Sequence, residues 1–194
     1  AITTVAFDVA SLEIWGALTA GARLEVVDRD AVADGERLAA AVRDAGTTVL
    51  AGTPTLWRNL LESGWAGQPG LKMICGGEPL TRDLADALLQ RGAELWNQYG
   101  PTEATMYATT EQVTRDEAVP TIGRPIANVR VYVLDARGEP APIGVAGELW
   151  IAGVQVARGY LNRPDETARV FEADPWVPGD RRYRTGDLAR YRSD

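Results

Sequence analysis

Several residue types on which enzymes often depend are absent or nearly absent from this sequence. Histidine does not occur, which excludes histidine general bases, Ser-His-Asp triads and histidine metal ligands. Cys75 is the only cysteine, so an internal disulfide and a cysteine-rich metal site are excluded as well. The net charge is −7 and there is no basic run, so we expect no nucleic-acid partner.

Long apolar runs and targeting segments are lacking too. No stretch approaches the roughly 20 apolar residues of a membrane span, and no signal peptide is visible. We therefore expect a cytoplasmic protein with no membrane partner. Because the chain starts at Ala1 without an initiator Met and stops at Asp194 without a cap or tail, we also expect it to be an excerpt of a longer protein.

The chain changes character near residue 109, and we expect two subdomains, 1–108 and 109–194. Strand-like and helical patterns alternate in the first, which predicts an α/β layer with a parallel-type sheet. Short β-like runs separated by Gly, Pro and Asp clusters predict a small antiparallel, barrel-like sheet in the second. The runs expected as strands are 47–51, 71–75, 94–96, 121–125, 129–134, 147–152 and 156–160.

The usual phosphate-binding loops, G-x-x-x-x-G-K-[ST] and G-x-G-x-x-G, do not occur, so a nucleotide would have to be held differently. The polar run 97–103, Asn-Gln-Tyr-Gly-Pro-Thr-Glu, offers such a way. Tyr99 presents a ring on which a purine can stack, and Gly100 allows close approach to the backbone. Thr102 can offer its hydroxyl to a phosphate, and Glu103 is a hard oxygen ligand suited to Mg²⁺. The alternative is a polar turn capped at a helix start.

Two further acidic residues each have two interpretations. Asp187, in the polar run 183–187, could accept both hydroxyls of a ribose, or the run could be an ordinary hairpin turn. Asp8 begins an otherwise apolar stretch, where it could cap the following helix or face a ligand ammonium inside a pocket.

Five segments together carry a resemblance that no single one carries. They are Phe7-Asp8, 76–79 (Gly-Gly-Glu-Pro), 97–103, 147–161 and 183–188. In this order, they resemble the adenylation domain of nonribosomal peptide synthetases, within the superfamily of acyl- and aryl-CoA synthetases and firefly luciferase. The resemblance implies that the chain is a fragment of the N-terminal core of an adenylate-forming enzyme.

The resemblance assigns roles in an ATP site. Asn97 and Tyr99 would hold the adenine, and Asp187 would bind the ribose hydroxyls. Thr102 and Glu103 would be the catalytic residues, Thr102 at the α-phosphate and Glu103 as the Mg²⁺ ligand. The glycine-rich turns would line the nucleotide through Gly76, Gly77, Glu78 and Gly100.

The resemblance also implies an amino-acid pocket with Asp8 against the substrate's α-ammonium. No other charged residue lines it, so we expect an uncharged side chain of medium to large size, because burying an unpaired charge is costly. The remaining pocket positions are Val9, Leu12, Ala51, Ile74, Gly76, Gln98, Met106 and Tyr107.

The implied reaction joins the amino-acid carboxylate to the α-phosphate of ATP and releases pyrophosphate. The acyl group would then pass to phosphopantetheine on a peptidyl carrier protein, with a condensation domain as a further partner. The family's phosphate loop and catalytic lysine do not occur in these residues, so we expect them to be inactive alone. Two alternatives remain: an acyl- or aryl-CoA ligase, which Asp8 argues against, and a non-catalytic nucleotide-binding module.

Overall fold

The computed structural model describes residues 1–193, whose contacts form two compact units. The first comprises Ala1–Tyr99 and Thr109–Arg124, and the second comprises Gly100–Ala108 and the chain from Pro125 onward. The boundary predicted at 108/109 does not coincide with this division, because the strand that begins at Thr109 pairs with Tyr99 and its neighbours in the first unit.

A five-stranded sheet of order β1-β2-β3-β4-β5 runs through the first unit. Strands β1 to β3 are parallel, and β4 is antiparallel to β3. This arrangement confirms the predicted α/β layer with a largely parallel sheet. The strands are β1 Val49–Gly52, β2 Lys72–Gly76, β3 Glu94–Tyr99, β4 Thr109–Gln112 and β5 Arg124–Pro125.

Some helices of the first unit begin at residues whose side chains satisfy the exposed N–H groups. Asp34 accepts hydrogen bonds from the N–H groups of Glu36 and Arg37, and Thr53 accepts one from Leu56 with Pro54 at the first helical position. The helical segments are α1 Val9–Ser11, a π-helical stretch Leu12–Gly16, α2 Ala17–Thr19, α3 Arg29–Val32, α4 Gly35–Asp44, α5 Pro54–Glu62 and α6 Arg82–Leu89.

The core of this unit lies between the sheet and helices α4 to α6. Trp57, Leu60, Leu88 and Leu95 are fully buried there. Burial of each such side chain contributes about 1.5–3 kcal/mol, so this cluster fixes the sheet on which the pocket residues stand. No helix among residues 1–193 is both long enough and apolar enough to span a membrane.

The second unit contains a four-stranded antiparallel sheet of order β6-β7-β9-β8. The predicted antiparallel sheet is confirmed, but within the described residues it is open and does not close into a barrel, because β6 and β8 do not pair. Its elements are a 3₁₀ turn Thr102–Ala104, β6 Val129–Leu134, β7 Gly147–Gly153, α7 Pro164–Val170, β8 Phe171–Ala173 and β9 Arg181–Ala189.

One local prediction for this unit is wrong, and one of two alternatives is excluded. Residues 156–160 form no strand, because their backbone groups bond to other segments: Ala157 N–H donates to the Glu103 carbonyl and Tyr160 N–H to Thr167 Oγ1. Residues 183–187 form no hairpin turn but lie inside β9. The register between β7 and β9 shifts there, and Gly186 takes a φ of +79°, so the polar run is a β-bulge.

Candidate functional site

Four predicted pocket residues share one face of the parallel sheet. Ala51 is the register partner of Ile74, and Gly76 is the partner of Gln98. Because side chains alternate along a strand, Ile74 and Gly76 point to the same face, so all four positions do. They stand toward the carboxyl ends of the strands, where open α/β sheets bind ligands.

An unsatisfied acceptor lies on this face. The Oε1 atom of Gln98 is buried without a hydrogen-bond partner among the described residues, and so is the Oγ1 atom of Thr110. Thr110 is the register partner of Gln98 on β4, and no motif in the sequence pointed to it. Because buried polar atoms are nearly always paired, this spot suits a ligand that brings a hydrogen-bond donor.

Asp8 stands at the start of a helical segment without capping it. Its backbone is already helical (φ −61°, ψ −29°), and its side chain makes no capping hydrogen bond. Its Oδ2 atom is buried and has no partner in the described part of the chain. An isolated buried carboxylate oxygen suits a cation such as an ammonium group. Of its predicted pocket neighbours, Val9 is buried and Leu12 is half-buried in the π-helical stretch.

Asn97 and Tyr99 lie on the opposite face of β3 from Gln98, as strand alternation requires. Asn97 is buried, and its Nδ2 donates to the Thr121 carbonyl at 2.7 Å, which fixes the orientation of the amide. Cys75 lies beside Asn97, and burial together with the Glu78 charge raises the pKa of its thiol to about 12. The only cysteine is therefore a poor nucleophile.

The glycine-rich turn after β2 is joined to helix α5 by hydrogen bonds between Glu78 and Thr55. Gly77 has a φ of +82°, a conformation that favours glycine. The Glu78 carboxylate accepts from the Thr55 N–H at 3.0 Å and from the Thr55 hydroxyl at 2.7 Å. The Glu78 carboxylate is therefore already hydrogen-bonded within the first unit.

In the second unit, residues 100–107 form a tight turn with unusual backbone angles. A Cβ atom on Gly100 would lie 2.3 Å from the Met106 carbonyl oxygen, so only glycine fits there. Thr105 and Met106 have φ values of 55° and 73°, which are uncommon for residues other than glycine. Such strain needs support from the surrounding structure, and it often marks functional sites.

Glu103 and Thr102 lie in the 3₁₀ turn within this segment. Thr102 is exposed, whereas Glu103 is half-buried, and its Oε1 accepts from Tyr160 Oη at 2.5 Å. Tyr160 is not among the site residues predicted from the sequence. Residues 1–193 contain no cluster of three metal-ligating side chains. A single carboxylate is what Mg²⁺ commonly takes from a protein when phosphate oxygens and water supply its other ligands, so Glu103 fits that role.

Tyr107 and Thr105 are joined to the loop after β7. The Gln155 side chain donates to the Tyr107 carbonyl at 3.1 Å, and the Thr105 hydroxyl donates to the Gln155 carbonyl at 2.7 Å. These reciprocal bonds support the strained turn. No pattern in the sequence pointed to this function of Gln155.

Asp187 follows Gly186 in the bulge of β9 and is exposed. Its N–H donates to the Thr185 hydroxyl at 3.0 Å, which fixes the backbone of the bulge. The predicted nucleotide residues are thus divided between the units: Asn97 and Tyr99 belong to the first, and Thr102, Glu103 and Asp187 to the second.

Comparison with known proteins gives consistent matches along the whole chain. Residues 1–161 match the family described as AMP-binding enzyme. The dimodular nonribosomal peptide synthase of Bacillus subtilis is 42% identical over all of this chain, and the phosphinothricin tripeptide synthetase of Streptomyces viridochromogenes is 43% identical over 99% of it. The chain spans only 8% and 17% of the lengths of these relatives.

A solved structure agrees with the sequence relatives. The crystal structure of a four-domain nonribosomal peptide synthetase bound to AMP and glycine superimposes with a TM-score of 0.95 at 42% identity, over all of this chain and 15% of that protein. The resemblance found in the sequence is thereby confirmed. Together with the match over residues 1–161, these likenesses identify the chain as a member of the AMP-binding enzyme family.

Proposed function

We propose that this chain is part of an enzyme that condenses an amino acid with ATP to give an aminoacyl-adenylate and pyrophosphate. The observation that carries the proposal is the buried, unpartnered Oδ2 of Asp8 in a chain of the AMP-binding enzyme family. A substrate ammonium would satisfy this oxygen, whereas a plain carboxylic acid would leave it unpaired. The pocket therefore favours amino acids over the substrates of an acyl- or aryl-CoA ligase.

We further propose an uncharged substrate side chain of medium to large size. Ala51 and Gly76 leave room on the sheet face, and Ile74 makes it apolar. The buried Oε1 of Gln98 would accept a hydrogen bond from a donor on that side chain. A charged side chain would lack a partner there.

The remaining predicted roles concern the nucleotide and the metal ion. Asn97 and Tyr99 would hold the adenine, and Asp187 would accept the ribose hydroxyls. Thr102 would donate to the α-phosphate, and Glu103 would hold Mg²⁺. The metal would supply positive charge against the phosphate oxygens, and the fixed positions of these groups would orient the carboxylate for attack.

The partners follow from the relatives by analogy. The matched proteins are named as peptide synthetases, and the matched structure has four domains. We propose that the acyl group passes to phosphopantetheine on a peptidyl carrier domain and then meets a condensation domain. A cytoplasmic location stays a prediction from the sequence.

Pyrophosphate exchange by the full-length protein tests this function. With ATP and Mg²⁺, one or a few uncharged amino acids should stimulate exchange, and the corresponding reaction with fatty or aryl acids should be far slower. Coenzyme A consumption with a plain acid would favour the CoA ligase instead. Nucleotide binding without any exchange, with all amino acids tried, would favour a non-catalytic module.

A further inference from the structure

The carboxylate of Glu103 is held from one side by a phenol. Tyr160 Oη donates to Glu103 Oε1 at 2.5 Å, which is the length of a strong hydrogen bond to a charged oxygen. The Ala157 N–H donates to the Glu103 carbonyl at 2.8 Å. The short segment 157–160 thus fixes both the backbone and the side chain of Glu103.

Tyr160 is itself held firmly. Its ring packs edge-on against Phe171, with centroids 5.4 Å apart and planes at 76°, and Phe171 in turn packs against Tyr183 at 5.0 Å. Its backbone N–H donates to the Thr167 hydroxyl at 2.9 Å. The direction of the phenol is therefore set by its packing against β8 and by the hydrogen bond to α7, with β9 packed behind Phe171.

We propose that Tyr160 is a positioning residue for the metal ligand: its hydroxyl occupies Oε1 of Glu103 and so orients the other carboxylate oxygen toward Mg²⁺. This inference rests on the proposed function. Groups that hydrogen-bond to a metal ligand fix its orientation, and their loss typically weakens metal binding or activity ten- to a hundredfold. Without the Tyr160 phenol, Glu103 would keep its backbone position but lose the short hydrogen bond at Oε1, while the neighbouring Tyr183 side chain would remain beside the carboxylate.

Tyr160→Phe in the full-length protein is the direct test, because it removes the hydroxyl and keeps the ring against Phe171. Binding of a non-hydrolysable ATP analogue is titrated at a series of Mg²⁺ concentrations. We expect the half-saturating Mg²⁺ concentration to rise about tenfold or more. In pyrophosphate exchange, kcat should fall while the KM for the amino acid stays unchanged.

Tyr132→Phe is the matched control. It removes a hydrogen bond of the same kind in the same unit, from Tyr132 Oη to Asp174 Oδ2 at 2.9 Å, and the neighbours of Tyr132 are Arg130, Asp174 and Trp176. It should lower the melting temperature and leave the Mg²⁺ dependence unchanged. If Tyr160→Phe does not fold, Thr167→Val serves instead, because it removes the acceptor of the Tyr160 N–H and should shift the Mg²⁺ requirement in the same direction by a smaller factor.

The possible results distinguish failure of the positioning role of Tyr160 from failure of the proposed function. Wild-type protein that binds the analogue with Mg²⁺, alongside a folded Tyr160→Phe variant with unchanged Mg²⁺ dependence, would overturn the positioning role and leave amino-acid adenylation standing. If the wild-type protein shows no Mg²⁺-dependent binding of the analogue, both proposals are overturned.

Discussion

The two units hold their candidate residues by different means. In the first unit, Ala51, Ile74 and Gln98 stand on regular strands, whose backbone pairing fixes which face each side chain takes. In the second unit, Glu103 lies in a strained turn and is held by a phenol 57 positions later in the sequence. Substitutions in the sheet of the first unit should therefore act through stability or pocket shape, whereas the loss of a single hydrogen bond should matter at the turn.

Loss of the carboxylate at Asp8 should have the largest effect. Asp8→Ala removes the proposed partner of the substrate ammonium, and breaking such a buried pair typically costs about 3 kcal/mol or more. We expect kcat/KM for the amino acid to fall about a hundredfold or more. Pyrophosphate-exchange kinetics measure it.

Asp34→Ala provides the control for that change, because Asp34 caps helix α4 in the same unit. It should cost about 1 kcal/mol in stability and leave kcat/KM unchanged. If Asp8→Ala behaves like Asp34→Ala, Asp8 is a structural residue and the proposed ammonium contact is wrong.

A cavity made in the core of the first unit should lower the stability of the protein and leave its chemistry unchanged. Leu60 is fully buried in the core of the first unit, and Leu60→Ala should lower the free energy of unfolding by about 2–5 kcal/mol. Urea denaturation of this chain measures it. Where the variant is folded, the Mg²⁺ requirement of the full-length protein should match the wild type; a large change would mean that the turn depends on the sheet core.

The scaffold of the second unit should be sensitive to acid through Asp174. Burial acts to raise the pKa of this carboxyl, but hydrogen bonds from the Trp176 N–H, Tyr132 and Arg130 outweigh it, so the pKa is lowered overall. Because the folded pKa lies below the unfolded one, the stabilisation is present above about pH 4 and is lost as the pH falls through the folded value.

Asp174→Asn tests this account through the pH dependence of the melting temperature. The variant should be less stable by about 1–3 kcal/mol at neutral pH, the usual contribution of hydrogen bonds to a charged group. The difference from wild type should narrow as the pH falls below about 4. A constant difference across this range would show that ionisation of Asp174 adds no stability.

The smallest expected effect concerns Gln155. Gln155→Ala removes the donor to the Tyr107 carbonyl, a bond worth about 1 kcal/mol, and should raise the KM for the amino acid several-fold. The Mg²⁺ requirement should not change. Gln68→Ala, which removes a similar bond to the Thr47 carbonyl in the first unit, should leave the KM unchanged.

Regular parts of the fold could be predicted from the sequence. Strand β2 is predicted by its apolar run, and the Thr53-Pro54 start of helix α5 is likewise a local signal. Residues 156–160 were misassigned because their apolar pattern resembles a strand, whereas their hydrogen bonds go to Glu103 and Thr167. Partners so distant in sequence leave no local signal.

The residues of the candidate site could likewise be predicted only in part. Asp8 and Glu103 were found from motifs, and the structure supplies the buried oxygen of the first and the phenol on the second. Thr110, Gln155 and Tyr160 were missed as candidates because their proximity to predicted residues arises from strand register or loop contacts. The run 183–187 was identified by its polar residues, but only the pairing of β7 with β9 shows it to be a bulge.

The most direct test of amino-acid adenylation compares the best amino-acid substrate with its deamino analogue, which carries the same side chain and carboxylate but no ammonium. Pyrophosphate exchange by the full-length protein is measured with both. We expect kcat/KM for the amino acid to exceed that for the analogue about a hundredfold or more in the wild type, and Asp8→Ala to remove most of this difference. Equal turnover of the two acids by the wild type would contradict this prediction.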